Sequence, residues 1–269
     1  MRSTQAIVLT MGLLLSVEAS AQNKQPAGNT HRVDSLPRDL EVQLALSALP
    51  PHLRDGATVY VLTPDKGFEV ARKGTNGFHT LVARTGDDTF RGKWPFSKYR
   101  DDILYPVSFD QAGAEANMKV FLDAAEMQAK GTPPQELKRL IQERFKTNYY
   151  KAPVRPGISY MLAPIQRTYG DPDNSGDVET INFPHVMTYA SNVSAEDVGA
   201  ATVTPEEGQH LMQHGRWRET PYPQLHTPGA HGYMIHARGK AETETITKEY
   251  QPMLARLCKL KKEWCLPSK

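Results

Sequence analysis

Three short apolar runs stand close together near the front of the chain: Ala57 to Leu62, Phe68 to Lys73 and Phe78 to Arg84. They are separated by Pro64-Asp65-Lys66-Gly67 and Gly74-Thr75-Asn76-Gly77, which place Gly or Asn where a tight turn needs positive φ. This spacing commits the region to β structure and predicts an antiparallel meander. Before it, Pro37 opens an apolar-periodic stretch (Leu40, Leu44, Leu46, Leu49) that predicts a helix ending at Pro50-Pro51. After it, a strand is expected near Ile103 to Phe109. Then comes a helix from Gln111 to Ala129, carrying Met118, Phe121 and Leu122 on one face, with Gly131 as its stop. A second helix should start at a capping box, Thr132 to Gln135, with Pro133 at its first position.

Later strands are expected at Ile158 to Leu162, Val186 to Ala190 and Gly232 to Ala237, with a short capped helix opening at Thr204-Pro205-Glu206-Glu207. A last helix contains Pro252, which must either kink it or start it. Strands, then helices, then strands without regular β-α alternation predict an α+β fold, with a mainly antiparallel sheet and several packed helices.

The amino terminus reads as an export signal. Arg2 precedes an apolar run from Ala6 to Val17, and Ala19-Ser20-Ala21 has the small-x-small form that a signal peptidase accepts. The run is shorter than the roughly 20 apolar residues that cross a bilayer. The expected organisation is a signal peptide at 1–21, a polar mobile lead-in at 22–35 and one α+β domain at 36–269. The domain would be soluble and periplasmic or extracellular. A formal net charge of +2 argues against a general nucleic-acid binder, which needs a concentrated positive face. The two cysteines, Cys258 and Cys265, are pulled both ways. Export favours pairing, but seven residues of helix span roughly 10.5 Å, so a bond requires the last helix to end between them.

Three segments, Arg72-Lys73-Gly74-Thr75-Asn76-Gly77-Phe78, Gly157-Ile158-Ser159-Tyr160-Met161-Leu162 and Pro184-His185-Val186-Met187, give the chain a further character. Their order resembles that of an uncharacterised family of exported bacterial proteins, over roughly residues 50 to 240. The resemblance implies export and an α+β domain and brings no activity with it. Relatives often carry cysteines at the places of Thr80 and Ser108, so any disulfide or catalysis built on them is not used here.

Candidate chemistry lies in three places. His79, His185 and His231 all fall at strand positions, where an imidazole can act as general base or ligand; together they would make a catalytic cluster. His210 and His214 sit four apart on the predicted capped helix, so both imidazoles leave one face, as zinc would require, although a bare H-x-x-x-H suits a solvated face equally. In the segment from Asp171 to Asn182, Asp171, Asp173, Ser175, Asp177 and Asn182 supply oxygen ligands at nearly the spacing of a calcium loop. Asn182 replaces the usual last Glu, and ordinary turn chemistry accounts for the same residues.

Aromatic and basic residues also interleave in loops, with Trp94, Tyr99 and Arg100 in one and Arg216 and Trp217 in another, a composition suited to a ligand-binding face. The expected function is binding of a small molecule or envelope component. The alternative is a metal-assisted hydrolase using the histidine-rich C-terminal third. Histidines 79, 185 and 231 meeting in one pocket would favour the enzyme; aromatics around a groove would favour binding.

Overall fold

The structure, a computed structural model, describes residues 33–86, 98–170, 177–199, 224–226 and 229–267. The lead-in expected to run to residue 35 is docked sooner. Val33 is buried in the core, and the Asp34 carbonyl accepts a hydrogen bond from Arg84 Nη1 at 3.0 Å. Helix α1 (Arg38–Ser47) follows Pro37, and Pro50 turns the chain into a further single turn, α2 (Pro51–Arg54).

Strands β1 (Thr58–Thr63) and β2 (Gly67–Arg72) form the expected hairpin, with Gly67 at φ +95° in its turn. Strand β3 (His79–Ala83) corrects the meander. It pairs with β1, in parallel, on the edge opposite β2. The cause is local. The chain between β2 and β3 crosses the start of β1, where Thr75 and Asn76 N–H donate to Gly56 O and Gly74 N–H donates to Thr58 Oγ1. A Cβ on Gly74 would fall 2.3 Å from Gly56 O and Ala57 C, so only glycine allows the crossing. Strand β4 (Tyr105–Phe109) then completes a sheet of order β2-β1-β3-β4.

Three helices follow. Instead of one helix from 111 to 129 there are two, α3 (Gln111–Glu115) and α4 (Met118–Ala129), broken at Ala116-Asn117. Gly131, at φ +77°, stops α4 as expected. The predicted capping box is not formed. Helix α5 (Pro134–Lys146) has Pro133 as its N-cap with no side-chain cap. Thr132 is otherwise engaged, its N–H closing the end of α4 on Met127 O and its carbonyl accepting from Tyr99 Oη at 2.7 Å.

The second sheet is antiparallel throughout, in the order β5 (Ile158–Met161), β8 (His185–Tyr189), β10 (Tyr233–Ala237) and β9 (Gln224–His226). A separate hairpin joins β6 (Gln166–Tyr169) and β7 (Val178–Ile181), neither of which the sequence pattern announced. The two large sheets lie edge to edge along β4 and β5. At this seam serine hydroxyls stand in for ladder bonds: Ser108 Oγ donates to Tyr160 O at 3.0 Å and accepts from Tyr160 N at 3.1 Å, while Ser159 Oγ donates to Ser108 O.

Helices α6 (Lys240–Glu249) and α7 (Gln251–Leu260) end the fold, and Pro252 starts α7 rather than kinking it. The helix stops at Leu260, a 3-10 turn (Lys262–Trp264) follows, and Cys258 and Cys265 form a disulfide with Cα atoms 4.4 Å apart. On one side of the first sheet, α1 and α7 pack Leu40, Leu44, Met253 and Leu257 against Val59 and Val82. On the other, Met118 and Phe121 of α4 cover Leu81, Val107 and Phe109, and reach Met187 of the second sheet. The result is an α+β fold with mainly antiparallel pairing and several packed helices. Among the described residues no helix is long and apolar enough to cross a membrane.

Candidate functional site

Side chains alternate across a strand, so Tyr105, Val107 and Phe109 of β4 face the same way. Ser159 of β5, Met187 and Tyr189 of β8 and Tyr233 of β10 join them below α4. Together with Phe121 and Asn117, at the broken start of α4, these residues line a cavity of ≈ 20 Å³. That is room for about one or two water-sized groups. Tyr105 and Asn117 are half-buried, while the other lining side chains are buried.

The wall is fixed by close packing. Tyr189 is wedged between two glycines: a Cβ on Gly113 would lie 1.7 Å from its Oη, and one on Gly157 would lie 2.8 Å from its ring. Its hydroxyl donates to Ile158 O at 3.3 Å. Asp110 holds the same corner, accepting from Gly113 N at 2.9 Å and from Ile158 N at 3.2 Å. Phe121 packs near Phe109 and Tyr105, with ring centroids 6.0 and 6.3 Å away. Sequence reasoning missed this site. Strand alternation over 186–190 puts Met187 and Tyr189 on one face, but Asn117 falls inside a helix predicted to be continuous.

The three candidate catalytic histidines do not meet. His79 opens β3 opposite Phe109, with Nδ1 3.1 Å from Tyr60 Oη. His185 pairs with Ala237 at the other end of the sheet, about 13 Å along β8 from Tyr189 at strand rise. Its Nδ1 lies 2.8 Å from Phe183 O; a carbonyl only accepts, so Nδ1 carries the proton. Burial pushes its pKa down to about 4, against a smaller upward pull from that carbonyl. His231 lies beyond the Tyr189 end of β8, edge-on to Phe145 at 5.1 Å. Burial also holds His79 and His231 below the usual imidazole range. Each imidazole is absorbed by its own neighbours, and no shared pocket results.

Of the calcium-loop residues, Asp171, Asp173 and Ser175 lie outside the described residues, as do His210 and His214. The loop reading is corrected at its far end. Residues 178–181 are the extended strand β7, which carries Asn182 roughly 16 Å from Asp177 at strand rise, so the two cannot wrap one ion. Asn182 Nδ2 donates instead to Thr247 Oγ1 at 2.7 Å. Among the described residues, no three His, Cys, Asp or Glu side chains gather as a metal site.

The aromatic-basic loops fare similarly. Trp94, Arg216 and Trp217 lie outside the described residues. Tyr99 and Arg100 are engaged rather than presented to a ligand: Tyr99 is buried, and Arg100 grips Asp102 through Nε and Nη2 at 2.8 and 2.7 Å. Burial pushes the Asp102 carboxyl up, but hydrogen bonds from Arg100 and Arg167 outweigh it and hold the group below its usual range.

Compared with known proteins, the chain matches no protein-family model, no curated protein and no solved structure.

Proposed function

We propose that this chain is an exported α+β binding domain for a small molecule or envelope component, of which one small group is seated in the tyrosine-lined cavity. The observation that carries the reading is the cavity itself: aromatic rings from β4, β8, β10 and α4 around a concave space that the half-buried Tyr105 and Asn117 also line. Ligand sites are concave, mostly apolar and furnished with a few polar groups. The alternative, a metal-assisted hydrolase using the histidine-rich C-terminal third, would have been favoured by His79, His185 and His231 meeting in one pocket; they are held apart, and His210 and His214 lie outside the described residues.

Export is supported by the apolar run before Ala19-Ser20-Ala21 and by the Cys258–Cys265 disulfide, a bond rare in reducing compartments. The resemblance to exported bacterial proteins gains coherence from one register. Thr80 and Ser108, at the places where relatives carry cysteine, are direct partners across β3 and β4.

A crystal soak of the mature protein with a library of small fragments tests the binding site. Hits should concentrate beside Tyr105, Asn117 and Met187, and a Val107→Trp variant that retains the native circular dichroism should lose them. Hits distributed over the surface, with none in the cavity, would remove the basis for this reading.

A further inference from the structure

We infer that Tyr60 is a nucleophilic phenol that takes an acyl group from an activated ester, with His79 as its general base. Neither residue lines the cavity, so this activity is separate from the binding function. Four side chains of β1, β3 and α3 form one directed chain of hydrogen bonds, and its polarity can be read from the closed end. Gln111 Nε2 donates to Glu115 Oε1 at 2.7 Å across one turn of α3. The other hydrogen bond of Gln111, to His79, favours the protonated ring, so the amide oxygen faces the imidazole. That oxygen only accepts, so the imidazole N–H points to Gln111. Nδ1, 3.1 Å from Tyr60 Oη, is then the bare nitrogen and accepts the phenol proton.

A nucleophile, a base in hydrogen-bond reach and a third group orienting the base is the arrangement that activates weak protein nucleophiles. Burial holds the imidazole below its usual range, against a smaller upward pull from Gln111, and raises the phenol above its own. The proton therefore rests on Tyr60 until its oxygen attacks. The two rings, stacked at 5.9 Å and 28°, keep the pair aligned. Access is open, because Tyr60 is only half-buried and Val70, directly across from it on β2, is 52% exposed. In the step, the Tyr60 oxygen bonds to the ester carbonyl carbon and the phenol proton passes to His79 Nδ1. The carbon–oxygen bond to the leaving group breaks, and the aryloxide departs. His79 then releases its proton to water, leaving an acylated Tyr60.

Mature protein treated with p-nitrophenyl acetate and followed by peptide mass spectrometry tests this. Tyr60 should gain one acetyl group. A His79→Phe variant, which keeps a ring beside the phenol, should slow that gain by about a hundredfold with unchanged circular dichroism. Gln111→Ala, a change at an exposed position, should slow it by about tenfold as the base loses its orientation. Tyr60 left unmodified while surface lysines are acetylated would overturn the assignment. So would acetylation of Tyr60 at the wild-type rate in His79→Phe or, should that variant fail to fold, in Gln111→Ala.

Discussion

Tyr189 owes its position to what two other residues lack. Gly113 on α3 and Gly157 ahead of β5 leave the slot that its ring fills, and a side chain at either place meets that ring. Gly113→Ala drives a methyl into the tyrosine hydroxyl, and overpacking of this kind costs about 1–3 kcal/mol. Chemical denaturation should show that loss. Tyr189→Leu in the same chain should return part of it, because the shorter side chain vacates the contact. Equal destabilisation of Gly113→Ala in both backgrounds would mean that the added methyl clashes with something other than Tyr189, because alanine itself favours the helix. The same substitution reads out the site, since Tyr189 lines the cavity.

At the scale of elements, the C-terminal closure is the clearest test. The disulfide ties α7 to the 3-10 turn and so delivers Trp264, whose Nε1 donates to Asp102 O at 2.7 Å, and Lys261, which pairs with Asp101 at 2.7 Å. Closing a ring of this size is worth about 2–3 kcal/mol by chain entropy. A Cys258→Ser, Cys265→Ser chain should lose that much stability. With Trp94 and Trp217 replaced by Phe in both forms, its emission should also move to the red as the indole reaches water. An unchanged midpoint and emission would show that packing alone holds the turn.

The sequence left the Cys258–Cys265 pairing open, with a break before Cys265 only as its condition, whereas α1, the β1–β2 hairpin, α5 and the strands β5, β8 and β10 were legible, because each is announced by local periodicity or turn residues. What escaped is non-local. Strands β6 and β7 carry polar residues, and β7 is half-buried along its whole length, so no alternation marks it. The choice of β1 as partner for β3 depends on how the crossing packs on Gly56. Gly113 of α3 meets Tyr189, far along the chain. The cavity escaped for the same reason, being assembled from side chains between Tyr105 and Tyr233.

Across the whole molecule, two buried groups set opposing responses to pH. Glu41 on α1 is 1% exposed and accepts from Leu62 N at 2.8 Å. Burial raises its pKa to about 7, against smaller downward pulls from that N–H and from Arg84 and Arg38. His185 is pushed the other way, to about 4. Unfolded, the two would titrate near 4.3 and 6.5. Between about pH 4.5 and 6.5 the folded chain therefore holds a proton on Glu41 and none on His185, while the unfolded chain does the reverse. The pair's contributions to the slope of stability with pH cancel there. Taken alone, Glu41 lowers stability as pH rises toward 7, because the unfolded state gives up its proton first. His185 alone lowers stability as pH falls from 6.5 toward 4, and His79, His231 and His236 add to that side. Glu41→Gln keeps an acceptor for Leu62 N–H and removes one of the opposing terms. The variant should match the wild type near pH 4 and exceed it by roughly 3 kcal/mol at pH 8. Its stability should fall steeply between pH 6.5 and 4, where the wild type changes much less. Urea titrations of both proteins at half-unit pH steps measure the difference directly, and a constant offset between the two curves would mean that Glu41 is already ionised throughout.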